Sequence, residues 1–254
     1  MKITIITVSL NCISVIGTCL ESVTSQKFTN VDHVVVDGAS TDGTRGFLHT
    51  HRGQLAVLLS ESDRGIYDAM NKGINLARGD IIGFLNSDDF YASTDVLSRV
   101  AEVFKGDPSL DACYADLIYT DQIDTSRPVR FWQSSDYVPG RFSKGWCPPH
   151  PTFFVRRSVF ERFGGFDLNY RIAADFELML RFLEVHKIRA RYVPEVWVKM
   201  RLGGTTNKSL RNIWVGNQEI LCALRSHRLP ANPIRFFVHK LLSRGKQFFQ
   251  RPSV

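Results

Sequence analysis

Residues 80–89 read Asp80-Ile81-Ile82-Gly83-Phe84-Leu85-Asn86-Ser87-Asp88-Asp89. Ile81 to Leu85 is apolar or Gly throughout, with no alternation. Such a run marks a short strand covered on both faces, as in a parallel sheet between helices. At its carboxyl end stand one amide and two carboxylates, and that end of a central strand is where open α/β sheets bind ligands. Adjacent carboxylates repel, so keeping both ionised requires positive charge close by. A hard divalent cation, Mg2+ or Mn2+, supplies it: such an ion takes one or two carboxylates and completes its shell from water and phosphate oxygens. Read alone, the same residues could equally form an acidic turn before the next helix, with Ser93 or Thr94 as the cap. The flanking sequence has to decide between these.

On the amino-terminal side, strand and helix signals alternate. Ile3 to Val8 is a β-branched strand ending at Ser9-Leu10-Asn11, followed by a helix with Cys12, Val15, Cys19, Leu20 and Val23 on one face. Val31 to Asp37 is a second strand, closed by Gly38-Ala39-Ser40-Thr41-Asp42-Gly43-Thr44, where Ser40 or Thr41 can cap the next helix. Leu55 to Leu59 is a third strand, and Ile66 to Ala77 a helix with Met70, Ile74 and Ala77 inward, ended by Gly79. Four alternations in under 90 residues are the signature of right-handed parallel βαβ units. None of the turns reads Gly-x-Gly-x-x-Gly or Gly-Lys-Ser/Thr, so a nucleotide bound here relies on strand-end carboxylates and a metal.

Beyond residue 96 the pattern changes. Helix is expected at Val96–Phe104, Ser158–Phe163 and Ala173–Val185, and strand at Asp111–Tyr119, Val129–Trp132, Thr152–Val155, Arg191–Val193 and Val196–Met200. Pro148, Pro149 and Pro151 stiffen a loop that carries Trp146 and His150. Gly203-Gly204-Thr205 reads as a turn before a long helix. At 254 residues and 44% apolar the chain can bury a large core. Neither a leader nor a ~20-residue apolar span is expected. Five scattered cysteines with no ligand spacing suit free thiols in a reducing cytosol rather than zinc.

The net charge of +7 is localised. No acid follows Glu219, while Arg225, Arg228, Arg235, Lys240, Arg244, Lys246 and Arg251 do. Ile234, Phe237, Val238, Leu241, Leu242 and Phe248-Phe249 approximate one helical face among these cations, a pattern suited either to an anionic inner-leaflet surface or to packing on the domain. Nucleic acid is not the expected partner, since strand-end carboxylates repel a phosphate backbone and the tail has no readout motif.

Five motifs in register over roughly residues 1 to 210 resemble family 2 glycosyltransferases of the GT-A fold. They are Ile5 to Asn11, Val36 to Thr44, Glu61 to Lys72, Leu85 to Asp89, and Ile172 to Arg181 (Ile-Ala-Ala-Asp-Phe-Glu-Leu-Met-Leu-Arg). The Gly-Ile-Tyr-Asp-Ala-Met-Asn-Lys run is shared with bacterial enzymes building O-antigen or colanic-acid-type exopolysaccharide. The resemblance implies an α/β fold: a Rossmann-like, mostly parallel central sheet flanked by helices. Residues 1–110 would bind the nucleotide sugar, 111–210 the acceptor, and 211–254 would form C-terminal helices. Thr7, Ser9, Asn11, Asp37, Ser40, Asp63, Gly65, Lys72, Asn86, Ser87 and Asp88 would hold the donor, usually a UDP-sugar. Asp37 would accept a hydrogen bond from the base, and Lys72 or Arg64 would lie near the phosphates. Asp88 would ligate Mn2+ or Mg2+, and Asp175 would be the catalytic base. Asp89, Trp146, His150, Glu177 and Arg181 would contact acceptor or phosphate. Asn86 departs from the family's Asp-x-Asp pattern, which suits a ribose contact better than a metal ligand.

The resemblance further implies an inverting hexosyl transfer to a lipid-linked (undecaprenyl diphosphate) saccharide in surface polysaccharide biosynthesis. The enzyme would be cytoplasmic and peripheral on the inner membrane. A GDP- or dTDP-sugar donor is the alternative within enzymes. A non-catalytic nucleotide-sugar-binding or scaffold protein is the alternative outside them, with Asn86 as its only hint.

Overall fold

The computed structural model describes residues 1–203 and 209–249. Its first half alternates as the sequence predicts: β1 (Ile3–Ser9), α1 (Ile16–Thr24), β2 (Val31–Asp37), α2 (Thr44–Thr50), β3 (Val57–Ser60), α3 (Ile66–Leu76) and β4 (Ile81–Phe84). These strands lie in the order β3-β2-β1-β4, every pair parallel. The register sets Ser9 beside Asp37 and Ile6 beside Phe84, so the loops after β1, β2 and β4 emerge along one rim.

The second half contains β5 (Phe90–Tyr91), α4 (Val96–Gly106), β6 (Ala112–Thr120), β7 (Pro128–Trp132), β8 (Phe154–Arg156), α5 (Arg157–Phe163), α6 (Ala174–Leu180), β9 (Ala190–Arg201), α7 (Leu210–Ser226) and α8 (Pro233–Phe249). It extends the same nine-stranded sheet through β8, β6, β9 and β5, with β7 paired to β6. Here pairing is mixed: only β6 and β9 are parallel. The two strands expected at 191–193 and 196–200 are one strand, whose pairing with β6 shifts register around Asp116. The helix expected through Val185 gives way after Leu180 to a π turn, Arg181–Val185.

Helices cover both faces. On one, Tyr67 and Met70 of α3, Phe176 and Leu180 of α6 and Leu221 and Leu224 of α7 share a core with Ile6, Val8 and Phe84. On the other, Cys19 and Val23 of α1 and Leu97, Val100 and Phe104 of α4 pack on Ile3, Ile5 and Ile81. Each such side chain, fully buried, contributes roughly 1.5–3 kcal/mol. Gly73 lets α3 approach β1, since a Cβ there would sit 2.4 Å from Ile6 Cγ2.

α8 seats Phe236, which is fully buried near Gly145, while Ile234, Phe237, Val238, Leu241 and Leu242 remain exposed. The sequence singled out the exposed set and missed the inward one. The Arg235, Arg244, Lys246, Phe248 and Phe249 side chains, Arg251, and Gly204 and Thr205 lie outside the described residues. Among those described, no helix is long and apolar enough to cross a membrane.

Candidate active site

The rim formed by β1, β2 and β4 collects the acids singled out in the first half. Asp37 ends β2 and is fully buried. Its Oδ1 accepts from the Ser9 hydroxyl at 3.2 Å and from the Ser40 hydroxyl; its Oδ2 accepts from Ser40 N–H at 3.0 Å and from the Ser60 hydroxyl at 2.7 Å. The carboxylate is thus satisfied by the protein, and a direct bond from a nucleotide base requires one of these hydroxyls to turn away. Ser40 serves Asp37 and the Asn11 N–H rather than capping α2. The Thr44 N–H at the start of α2 bonds to Asp42 instead. Asp63 is half-buried in front of this group: Oδ1 accepts from Gly65 N–H at 2.8 Å, and a Cβ on Gly38 would lie 2.6 Å from Oδ2. Gly65 takes φ 123°, a conformation that favours glycine, where the chain turns into α3.

Asn86 to Asp89 follow β4. Asp89 is fully buried, and burial, reinforced by the charge of Asp88, raises its pKa well above the usual carboxylate range. Asn86 Oδ1 and Asp89 Oδ1 are buried without a hydrogen-bond partner. Two orphaned acceptors beside half-buried Asp88 are the donor set a hard cation satisfies, because a cation takes lone pairs without needing a proton. Among the described residues no three His, Cys, Asp or Glu gather into a cage. An ion here would therefore draw the rest of its shell from phosphate and water, as Mg2+ and Mn2+ sites built around phosphates do.

Asp175 enters from the second half, in the first turn of α6. Its Oδ1 accepts from Phe176 N–H at 2.8 Å and from the Tyr67 hydroxyl of α3 at 3.2 Å. The single proton of that hydroxyl is shared with Ile172 O, the nearer acceptor at 2.8 Å. Burial, then the Asp175 charge, pushes the Tyr67 pKa up, so it stays protonated and donating. His150 is also buried: its ring stacks on Phe84, the last residue of β4, at 5.2 Å between centroids, and its Nε2 has no partner. Burial lowers the His150 pKa and the nearby Asp175 charge pulls it back up. Tyr67 thus ties Asp175 to α3, while His150, packed on the end of β4, feels the charge of Asp175 without bonding to it. A cleft of about 550 Å3 opens beside Tyr67, lined also by Arg64, Ile66, Leu168, Tyr170 and Arg171.

Several residues expected to contact ligand bond within the protein. Thr7 points into the core, 2.9 Å from His33 Nε2. Strand alternation puts it on the face of Ile3 and Ile5, away from the rim. Lys72 pairs with Glu61 and donates to Ser62 O, both at 2.8 Å, bracing the loop before Asp63. Glu177, almost fully buried, pairs with Arg181 at 2.9 Å and with His227 at 2.8 Å. Arg181 also donates to Phe163 O and Gly165 O. Trp146 is half-buried among Tyr114, Tyr137 and Phe142, with Arg141 over its ring. Asn11, at φ 50°, accepts from Thr41 N–H.

Comparisons with known proteins identify the family and the fold. The family model described as glycosyl transferase family 2 matches residues 4–164. A PGL/p-HBAD biosynthesis glycosyltransferase of Mycobacterium tuberculosis (strain ATCC 25177 / H37Ra) is 33% identical over 208 residues, covering 80% of this chain and 78% of the relative. Chondroitin synthase of Escherichia coli is 28% identical over 181 residues, covering 69% of this chain and 25% of that one. Among solved structures, S. aureus TarS 1-349 in complex with UDP-GlcNAc aligns with a TM-score of 0.68 at 17% identity, over 95% of this chain and 73% of that one. Mannosyltransferase PcManGT from Pyrobaculum calidifontis, in complex with GDP-Man and Mn2+, gives 0.63 at 21%, over 95% and 69%. The structural likeness establishes the GT-A fold. With the sequence matches beside it, the chain belongs to glycosyltransferase family 2 and is a glycosyltransferase.

Proposed function

We propose that this enzyme transfers a hexose, with inversion, from a UDP-sugar to a lipid-linked saccharide acceptor in bacterial surface polysaccharide synthesis. The observation that carries the reading is the placement of Asp175. It lies at the joint between the donor half and the acceptor half, tied to α3 through Tyr67 and within electrostatic reach of His150 at the end of β4. Its Oδ1 is occupied by Phe176 N–H and Tyr67; no described residue donates to Oδ2, which is the oxygen left to act as base.

In this reading the acceptor hydroxyl enters by the cleft beside Tyr67 and attacks C1 of the sugar. The new C1–O bond forms as the bond from C1 to the diphosphate breaks, and the hydroxyl proton passes to Asp175. Asp88, with the orphaned oxygens of Asn86 and Asp89 beside it, would hold Mn2+ or Mg2+, which supplies Lewis-acid stabilisation of the departing diphosphate. Asp63, with Asp37 behind it, forms the wall for the base. A neighbour in complex with UDP-GlcNAc supports a UDP-sugar donor for this chain, and one in complex with GDP-Man keeps a GDP-sugar as the second reading.

Membrane attachment belongs to the same proposal. α8 turns Ile234, Val238, Leu241 and Leu242 to solvent, and no acid follows Glu219 to repel an anionic inner leaflet. A lipid-linked acceptor is met at that surface. The decisive test is Asp175→Asn. Donor binding should persist while UDP release falls by about 10^2–10^4, the usual contribution of a positioned general base. Turnover close to wild type would remove Asp175 from the reaction.

A further inference from the structure

The family model matches residues 4–164, so both α6, which carries Asp175, and α7, which holds the turn before it, lie beyond that match. Glu219, the last acid in the chain, points from α7 at the turn preceding α6. Its Oε1 accepts from Arg171 N–H at 3.0 Å, and its Oε2 accepts from Ile172 N–H at 2.8 Å and Ala173 N–H at 2.9 Å. Three consecutive amides on one carboxylate fix the backbone in a way that single hydrogen bonds do not, and bonds to an ionised acceptor are the stronger kind. The close approach is built in: a Cβ on Gly216, one helical turn before Glu219, would lie 3.1 Å from Ile172 Cγ2. The carboxyl end of α7 adds two further ties, Ser226 Oγ to the Tyr170 hydroxyl at 3.2 Å and His227 to Glu177 at 2.8 Å. From the opposite side Tyr67 bonds Ile172 O. The turn is therefore gripped between α3 and α7 two residues before Asp175.

We propose that Glu219 is a positioning residue for the transfer reaction, fixing the backbone from which Asp175 reaches the acceptor hydroxyl. The proposal rests on Asp175 being the base. Misplacement by about 1 Å can cost roughly a hundredfold in rate, so a clamp on this backbone reads out in kcat.

The test compares full-length wild type, Glu219→Gln, Asp175→Asn and the double variant. UDP release is followed from UDP-glucose, UDP-galactose and UDP-GlcNAc, and hydrogen exchange is measured at residues 171–176. Glu219→Gln should lower kcat about 10- to 100-fold with donor KM within about twofold, and should speed exchange at residues 171–173. In the Asp175→Asn background the same change should leave the residual rate within about twofold, because there is no longer a base to position. Equal losses in both backgrounds, or loosened amides with unchanged kcat, overturn the proposal. If no donor turns over in wild type, the reading of the reaction fails separately; unchanged protection of residues 171–173 in Glu219→Gln still overturns the clamp.

Discussion

From β3 to β4 every pairing in the sheet is parallel; α1 and α2 each link strands that are neighbours, and α3 carries the chain from β3 past β2 and β1 to β4. From β8 to β5 the pairings are mostly antiparallel, and the parallel pair, β6 with β9, joins Ala112 to Ala190 across the whole acceptor half. The first region is assembled from repeated local units and presents a rim of acids whose places follow from strand ends. The second is assembled from distant segments and contributes one acid, Asp175, whose place depends on packing from α3 and α7. In the proposed reading, donor recognition sits on the part of the molecule with the simplest topology, and the acceptor side on the part most sensitive to changes far away in sequence.

The comparison can be broken most strongly at Trp197. Its ring is buried in β9, edge-on to Phe154. Trp197→Ala should cost about 3–5 kcal/mol. Because one sheet runs through both halves, urea unfolding followed by circular dichroism and by exchange in β1 should shift together; a donor half that unfolds at its wild-type midpoint would mean that the halves are separate units.

A second effect belongs to the donor half alone. His33 is buried, and burial pushes its pKa down to about 4 from 6.5. The unfolded chain therefore takes up the proton before the folded one. The contribution to stability is complete above pH 6.5 and is lost as the pH falls to about 4, at most about 3 kcal/mol. Denaturation midpoints of wild type and His33→Gln across pH 7 to 4 check this, the variant lacking that part of the slope. Where the halves meet, Gly83 on β4 faces Phe154 on β8, and a Cβ would come within 2.4 Å of the ring. Gly83→Ala should cost about 1–3 kcal/mol by overpacking in the same urea assay.

The contrast between regions also explains what could be read from sequence alone. Strands β1, β2 and β4 were legible because a parallel strand between helices is apolar on both faces, and the ends of β2, β3 and β4 marked Asp37, Asp63 and Asp88. Thr7, expected among the donor contacts, lies in the core beside His33, and a polar residue inside such a strand gives no sign of which way it points. The Glu177–Arg181 pair carries a signal that was available: an i,i+4 spacing suits an ion pair within the helix as well as a ligand contact. The two-residue β5 and the Glu219 clamp, formed across 46 residues to Ala173, leave no local pattern to detect. In α8 the apolar face was legible, but the burial of Phe236 beside it depends on a pocket near Gly145 that only the fold creates.

The smallest effect on stability is expected on α8. Replacing Val238 and Leu241 by Gln should change folding stability by no more than about 0.5 kcal/mol each, since both are exposed. Flotation with phosphatidylglycerol vesicles should nonetheless fall sharply; undiminished binding would retire the membrane face.

The central claim is that the donor rim and Asp175 serve one bound nucleotide sugar. A crystal structure of Asp175→Asn with an intact UDP-sugar and Mn2+ tests it most directly. The account predicts the base against Asp63 and Gly38, the diphosphate at Asp88, and the anomeric carbon facing residue 175. A donor bound with its anomeric carbon turned away from residue 175, or bound off this rim altogether, would contradict it.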